Sequence, residues 1–168
     1  MTSNNKKQLF EKIYDDNCDS ITRLCYMYLK DFELAKDATQ ETFLKAYKKL
    51  YSFKELSSIN TWLTSIAINT CKNIIRNSKY KSDELQIEQC EFFLSSDLKD
   101  NDTKLSVSEA IKTLPIDYRT VILLKYYRDL HIKDISRILK IPQTTVNYRL
   151  LKAKSLLKEM LREDFFDE

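Results

Sequence analysis

Glycine is absent from the 168 residues and proline occurs only twice. A glycine-free chain has no phosphate-cradling loop and no dinucleotide fingerprint, and its reversals must be made by residues that carry a Cβ. There is a single histidine, His131, and the four cysteines, Cys18, Cys25, Cys71 and Cys90, form no CxxC pair and have no histidine beside them. That spacing argues against zinc. Cys18, Cys25 and Cys71 fall on apolar helix faces and read as buried thiols of a reducing compartment. No run approaches the length of a membrane span and no N-terminal apolar segment suggests a signal peptide, so a cytoplasmic protein is expected. Neither a nucleophile–base pair nor a metal-ligand cluster is visible. An enzyme, a cofactor and a small-molecule substrate are therefore not expected.

What the chain does have is Leu, Ile, Lys and Tyr at helical spacing. An all-α fold follows, with room for two small helical domains. The formal charge of +3 hides a segmental pattern. Residues 1–78 carry 12 basic and 9 acidic side chains, residues 79–104 carry 4 and 7, and residues 105–168 carry 12 and 9. The acidic middle, with Ser95-Ser96 and Asn101-Asp102, reads as a flexible linker, with room for a brief helical piece, between domains at 1–78 and 105–168.

The most informative stretch is LHIKDISRILKIPQTTVNYRLLKAKSLL, residues 130–157. Ile132, Ile135, Ile138 and Leu139 make one helix apolar on one side, and Lys133, Asp134, Arg137 and Lys140 face away. Pro142 interrupts, so the chain should turn at Lys140-Ile141 and re-enter helix near Gln143. The second helix would bury Val146, Leu150, Ala153 and Leu157, leaving Thr144, Tyr148, Leu151, Lys152 and Ser155 on the opposite side. Between Lys133 and Lys158 there are seven Lys or Arg against the single acid Asp134. A short helix, a tight turn and a basic second helix is the helix-turn-helix arrangement, whose second helix enters the major groove. A helical hairpin with a solvated charged face is the plainer alternative.

The N-terminal half reads as three helices. The first, over 7–30, carries Phe10, Ile13, Tyr14, Ile21, Leu24, Cys25, Tyr28 and Leu29; Asp31 then caps a second. Within that second helix DATQETFLKAY, residues 37–47, puts Asp37, Gln40 and Glu41 on one exposed face, with Ala38, Thr42 and Phe43 leaning inward. Periodicity fails between Tyr51 and Asn60, which indicates a surface loop pinned by Phe53, Leu56 and Ile59. TWLTSIAINTCKNIIRNS, from about Thr61 to Ser78, restores a helix with Trp62, Ile66, Cys71, Ile74 and Ile75 apolar. Its other side shows Thr64, Ser65, Asn69, Lys72, Asn73 and Arg76, groups able to bond base edges and neutralise phosphates. Trp62 with Phe53 is able to support an unpaired base, or else belongs to the core. Further on, helix resumes near Val107. Pro115 is expected to sit in the first turn of a helix that buries Val121, Leu123 or Leu124, and Tyr127.

Three segments, DATQETFLKAY at 37–47, TWLTSIAINTCKNIIR at 61–76 and LPIDYRTVILLKYYRDLHIKDISRILKIPQTTVNYRLLKAKSLL at 114–157, resemble the sigma-70 family of bacterial transcription initiation factors, and within it the short extracytoplasmic-function group. The resemblance implies that Asp37, Gln40 and Glu41 dock on clamp helices of the largest subunit of core RNA polymerase. It implies that the loop at 53–60 and the helix after it open promoter DNA and hold the non-template strand of the −10 element, through Phe53, Ser57, Asn60, Trp62, Asn69, Lys72, Asn73 and Arg76. Asn69 matches a contact to a flipped-out base, and extruding a base costs a few kcal/mol, so a pocket that holds it makes melting sequence-selective. The −35 element would be met by Lys133, Thr144, Thr145, Asn147, Tyr148, Leu151 and Lys152, with Arg149 and Lys154 on phosphates. An anti-sigma protein, often membrane-anchored in this group, is a further implied partner.

The chain departs from the family pattern at four places. Lys140 and Thr144 stand where glycine is usual, Lys54-Glu55 replaces a common basic-Gly pair, and His131 replaces a capping hydroxyl. Either Lys140 adopts a positive φ, at a cost of roughly 1 kcal/mol, or the turn differs. Two other functions compete with the sigma reading. One is a free-standing helix-turn-helix regulator that binds duplex DNA without polymerase and senses a ligand with its N-terminal helices; the other, a hydrolase or nucleic-acid-modifying enzyme, lacks the residues it needs.

Overall fold

The computed structural model describes residues 3–53, 57–77 and 101–166, and the chain divides into two compact units, Met1–Gln86 and Ile87–Glu168. Among the described residues all regular structure is helical. In the first unit α1 (Ser3–Leu29), α2 (Phe32–Lys49) and α3 (Ile59–Asn77) pack on one another in all three pairings. Their shared core is Ile21, Leu24, Cys25, Ala35, Ala38, Leu63, Ala67, Ile68 and Cys71, none of which has any surface in contact with solvent. Burying a Leu- or Ile-sized side chain stabilises by about 1.5–3 kcal/mol, so this set holds the three helices together.

Local chemistry sets the boundaries. α1 ends at Lys30, which takes the left-handed conformation (φ 60). Asp31 then caps α2, its Oδ1 accepting the Leu34 N–H at 2.8 Å, a bond typical of caps that contribute about 1 kcal/mol. A short 3-10 turn, Leu50–Ser52, closes α2. Ser58 opens α3: its Oγ accepts from the Thr61 N–H at 3.1 Å and its carbonyl from the Trp62 N–H at 3.0 Å. α3 therefore begins two residues before the expected Thr61, and Asn60 lies in its first turn. Thr64, expected to face outward, has no exposure. The reason is that α3 is gripped by α1 and α2 together, so its buried sector is wider than a single stripe. Ile75, expected on the apolar side, is 43% exposed.

Edge-on rings close the outer side of α1 and α2. Phe10 meets Tyr47 and Phe43 at centroid distances of 5.0 and 6.3 Å, and Tyr14 meets Phe43 at 4.8 Å. Lys6 lies 4.2 Å from the Tyr47 ring and 4.0 Å from the Tyr51 ring, buried between them. Cys18 is half-buried rather than buried, while Cys25 and Cys71 are fully enclosed. The Cys71 thiol hydrogen-bonds that of Cys25, and this bond with the burial pushes its pKa far up from 9.0. Cys90 lies outside the described residues.

In the second unit α4 (Asn101–Thr113), α5 (Ile116–Ile122), α6 (Ile132–Leu139) and α7 (Gln143–Phe166) gather around α7, which touches the other three. α4 begins inside the stretch read as linker; its first turn, Asn-Asp-Thr-Lys, carries no apolar period by which a sequence pattern reveals a helix. Residues 79–100 of that expected linker lie outside the described residues, as do Lys54-Glu55 and Leu56. Pro115 is the N-cap of α5, one place before the expected position, and its carbonyl accepts from the N–H groups of Tyr118 and Arg119. The buried Arg119 donates through Nη1 to the carbonyls of Lys112 at 2.8 Å and Leu114 at 3.4 Å, which satisfies acceptors left open at the end of α4.

α5 passes into a π-turn, Leu123–Tyr127, where the Arg128 N–H reaches back five residues to Leu123 at 3.0 Å. The wider turn keeps Leu123 and Leu124 inside and leaves Tyr127 39% exposed, contrary to the sequence expectation. The helix-turn-helix follows. His131 is the N-cap of α6 without a side-chain bond, so its imidazole does not replace a capping hydroxyl. Lys140 is left-handed (φ 57, ψ 43), the first of the two alternatives. A paired clamp holds it: the Ile141 N–H donates to the Ser136 carbonyl at 3.2 Å and the Ser136 Oγ to the Ile141 carbonyl at 2.6 Å. This six-to-one closure is the Schellman form of helix end, with lysine where glycine is favoured. Val146, Leu150 and Ala153 pack inward as expected, whereas Leu157 is only half-buried.

Lys140→Gly relieves the left-handed Cβ contact and should stabilise the second unit by about 1 kcal/mol. Circular dichroism resolves it, because Trp62, the sole tryptophan, reports on the first unit alone; an unchanged or lower midpoint contradicts the strain. The Cys71 thiol stays protonated when folded, whereas the unfolded thiol ionises near 9.0. Stability of the first unit is thus full below that value and falls as pH rises above it, by at most about 1.4 kcal/mol per pH unit. Urea midpoints followed by Trp62 fluorescence between pH 8 and about 9.5 should decline, and less steeply in Cys71→Ala.

Candidate functional site

Each unit presents a polar face on the side of a helix that the core leaves uncovered. On α2, Asp37, Gln40 and Glu41 are exposed together, and Leu44, three and four places further on, joins them at 62% exposure. Sequence reasoning missed Leu44. Its spacing from Gln40 and Glu41 was the available signal, since a leucine in step with three polar residues and out of step with Ala35, Ala38, Thr42 and Ala46 must point outward. Tyr47, counted among the apolar positions, is 41% exposed on the flank of the same face. Glu41 is ion-paired with Lys45, whose Nζ also donates to the buried Thr70 Oγ1 of α3 at 3.2 Å. The carboxylate face of α2 is thereby tied to α3.

Along α3 the expected residues fall into one stripe. Trp62, Ser65, Asn69, Lys72, Asn73 and Arg76 recur at three- and four-residue steps, so at 1.5 Å per residue they line about 21 Å of one side. Asn69 and Arg76 are exposed, Lys72 and Asn73 half-buried, and the Arg76 Nη2 donates to the Asn73 Oδ1 at 3.2 Å. At the leading end Phe53 and Trp62 form a tilted ring pair, centroids 4.8 Å apart and planes at 37°, both partly open to solvent. Trp62 is thus neither fully core nor free. Ser57 and Asn60 lie between these rings in sequence, both half-buried. The stripe is an aromatic platform followed by amides and two cations, a combination suited to an unpaired strand.

In the second unit the outward side of α7 carries Thr144, Asn147, Tyr148, Leu151 and Lys152, all exposed, with Thr145 half-buried. Lys133 is exposed on α6. Two cations have partners within the chain. Arg149, expected to be a phosphate contact, is only 24% exposed and pairs with Asp117 of α5 at 2.9 Å; Lys154 lies 5.2 Å from the Tyr126 ring.

Comparison with known proteins fixes the family. Residues 13–80 match the model of sigma-70 region 2 and residues 104–157 that of sigma-70 region 4. The chain is 30% identical to the RNA polymerase sigma-H factor of Pseudomonas aeruginosa, spanning 93% of this chain and 88% of that one. It is 32% identical to the extracytoplasmic-function sigma factor SigW of Bacillus subtilis, over 92% and 89%. The chain belongs to the sigma-70 family. Among solved structures, the Bartonella quintana sigma factor RpoE, crystallised with the anti-sigma factor NepR, shares its fold with a TM-score of 0.71 at 21% identity, over 95% of this chain and 98% of that one. The sigma factor described here therefore has its α2 and α3 faces within the region 2 match and its helix-turn-helix within the region 4 match. No described helix is long and apolar enough to cross a membrane, and no metal-binding group of His, Cys, Asp or Glu occurs among the described residues.

The Arg149–Asp117 pair braces α7 of this sigma factor against α5. Because Asp117 is 63% exposed, the coupling should be small, about 0.5 kcal/mol in a double-mutant cycle of Arg149→Ala with Asp117→Asn, and should shrink in high salt. Zero coupling at low salt would return Arg149 to the set of free cations.

Proposed function

We propose that this sigma factor binds core RNA polymerase through the α2 face and directs initiation by meeting the promoter at two places. Asp37, Gln40, Glu41 and Leu44 form the polymerase-docking face, in which an apolar side chain amid carboxylates and an amide suits a partly basic helical partner. The α3 stripe from Trp62 to Arg76, with Phe53, Ser57 and Asn60 at its head, receives the opened −10 strand, and Asn69 takes an extruded base. α7 enters the major groove of the −35 element through Thr144, Thr145, Asn147, Tyr148, Leu151 and Lys152, with Lys133 and Lys154 near phosphates. The protein acts by binding and not by catalysis. Its resting partner is an anti-sigma protein, as in the Bartonella complex, and by this reading one anchored to the membrane; its place of work is the cytoplasm, where polymerase and promoter are.

One observation carries this reading: a single helix, α2, exposes a carboxylate-and-leucine face in the same unit whose α3 exposes a stripe of amides and aromatics. A regulator that bound DNA alone would have no use for the first. Run-off transcription with purified core polymerase on pooled genomic fragments tests it, and fragments that give transcripts define the promoter. Gln40→Ala combined with Glu41→Ala should abolish those transcripts by reducing affinity for core polymerase, with the helical spectrum unchanged because both sites are exposed. Tight footprinting of a promoter by the protein alone, with no gain on adding core enzyme, would instead support the free-standing regulator.

A further inference from the structure

The outward face of α7 has an unusual centre for a DNA-reading helix. At about 100° per residue, the side opposite Val146, Leu150 and Ala153 is formed by Thr144, Tyr148, Leu151 and Ser155. None of these is charged. Leu151 is 73% exposed and Tyr148 59% exposed, the two most open of the large apolar side chains among the described residues of the second unit. The cations lie to either side: Lys152 on one flank, Lys154 and Lys158 on the other. Charge placed on the flanks meets the two phosphate strands that border a groove, and an uncharged centre meets its floor.

The floor of the major groove offers one apolar feature, the C5-methyl group of thymine. A leucine has no hydrogen bond to give and gains nothing from the polar edges of guanine, cytosine or adenine. Resting on the proposed entry of α7 into the −35 element, we infer that Leu151 selects thymine there by covering its methyl group, with Tyr148 one turn before it walling the same contact. Lys152 supplies the adjoining polar or phosphate contact, and Asn147 reads a neighbouring base edge. Leu151 is thus a specificity-determining residue, and the base class it demands is 5-methylated pyrimidine.

Deoxyuridine isolates this contact, because it lacks only the methyl group and keeps the pairing and hydrogen-bonding edge of thymine. Promoters recovered in the run-off experiment are rebuilt with each thymine of the upstream element, on either strand, replaced singly by deoxyuridine. Equilibrium binding of each is measured with holoenzyme reconstituted from core polymerase and the full chain. At one or more positions the wild type should lose about 4-fold in affinity, the worth of one buried methyl-sized group. With Leu151→Ala that loss should vanish, and with Leu151→Met it should persist. If transcription is promoter-specific yet no thymine is sensitive, or if Leu151→Ala remains as sensitive as the wild type, the inference is wrong while the proposed function stands. Absence of transcripts from every fragment overturns both.

Discussion

A helix in a small domain can bury only part of its circumference, and the polar faces that the described helices of this protein display lie on the part left over. In α2 all the buried residues but Phe43 are small, namely Ala35, Ala38, Thr39, Thr42 and Ala46, which lets the neighbouring helices approach closely. The buried threonines return their hydroxyls to the backbone, Thr39 to Ala35 at 2.7 Å and Thr42 to Ala38 at 2.6 Å, so neither hydroxyl is stranded. Asp37, Gln40 and Glu41 are then displayed on a rigid rod, not on a loop. α3 and α7 obey the same rule. Lys45, reaching from Glu41 to the buried Thr70, ties the displayed face of α2 to the core side of α3 within one unit, so a partner that captures Glu41 also changes the company of a side chain bonded to α3.

The faces were legible in the sequence because they depend on period alone. Asp37, Gln40 and Glu41, the bases and amides of the third helix, and the split of α7 into Val146, Leu150 and Ala153 against Tyr148, Leu151 and Lys152 are all consequences of 3.6 residues per turn. What escaped was decided by more than one neighbour. Thr64 is enclosed because two helices converge on α3, a tertiary fact with no local mark. Tyr127 turned outward because the π-turn shifts the phase of the pattern by one residue, and helical periodicity counted through it goes wrong at once. Arg149 pairs with Asp117, thirty-two positions earlier, a partner that no local spacing reveals.

Doing without glycine has a structural signature. Lys30, Asp129 and Lys140 all take positive φ, each just past the end of a helical segment. A Cβ in that region costs on the order of 1–2 kcal/mol, so each reversal must be held from outside. At Lys140 the holding is visible as the two bonds between Ser136 and Ile141, and at Lys30 as the N–H donated to Tyr26 at 2.8 Å and the cap made by Asp31. The burden falls on polar residues beside the turn, which is why Ser136 and Asp31 matter more to the fold than their partial exposure suggests.

The π-turn at Leu123–Tyr127 makes the connection between α5 and the helix-turn-helix a matter of phase. It stores one residue beyond the ordinary helical repeat, and the Leu130 N–H, returning six residues to Leu124 at 3.0 Å, seals that surplus in place. Removing a residue from this span would restore regular winding and swing whatever follows by about a quarter of a circle, carrying the buried Leu130 away from its seat. Anyone splicing a different promoter reader onto this chain should therefore join it downstream of Leu130, so that the surplus residue and its seal travel together.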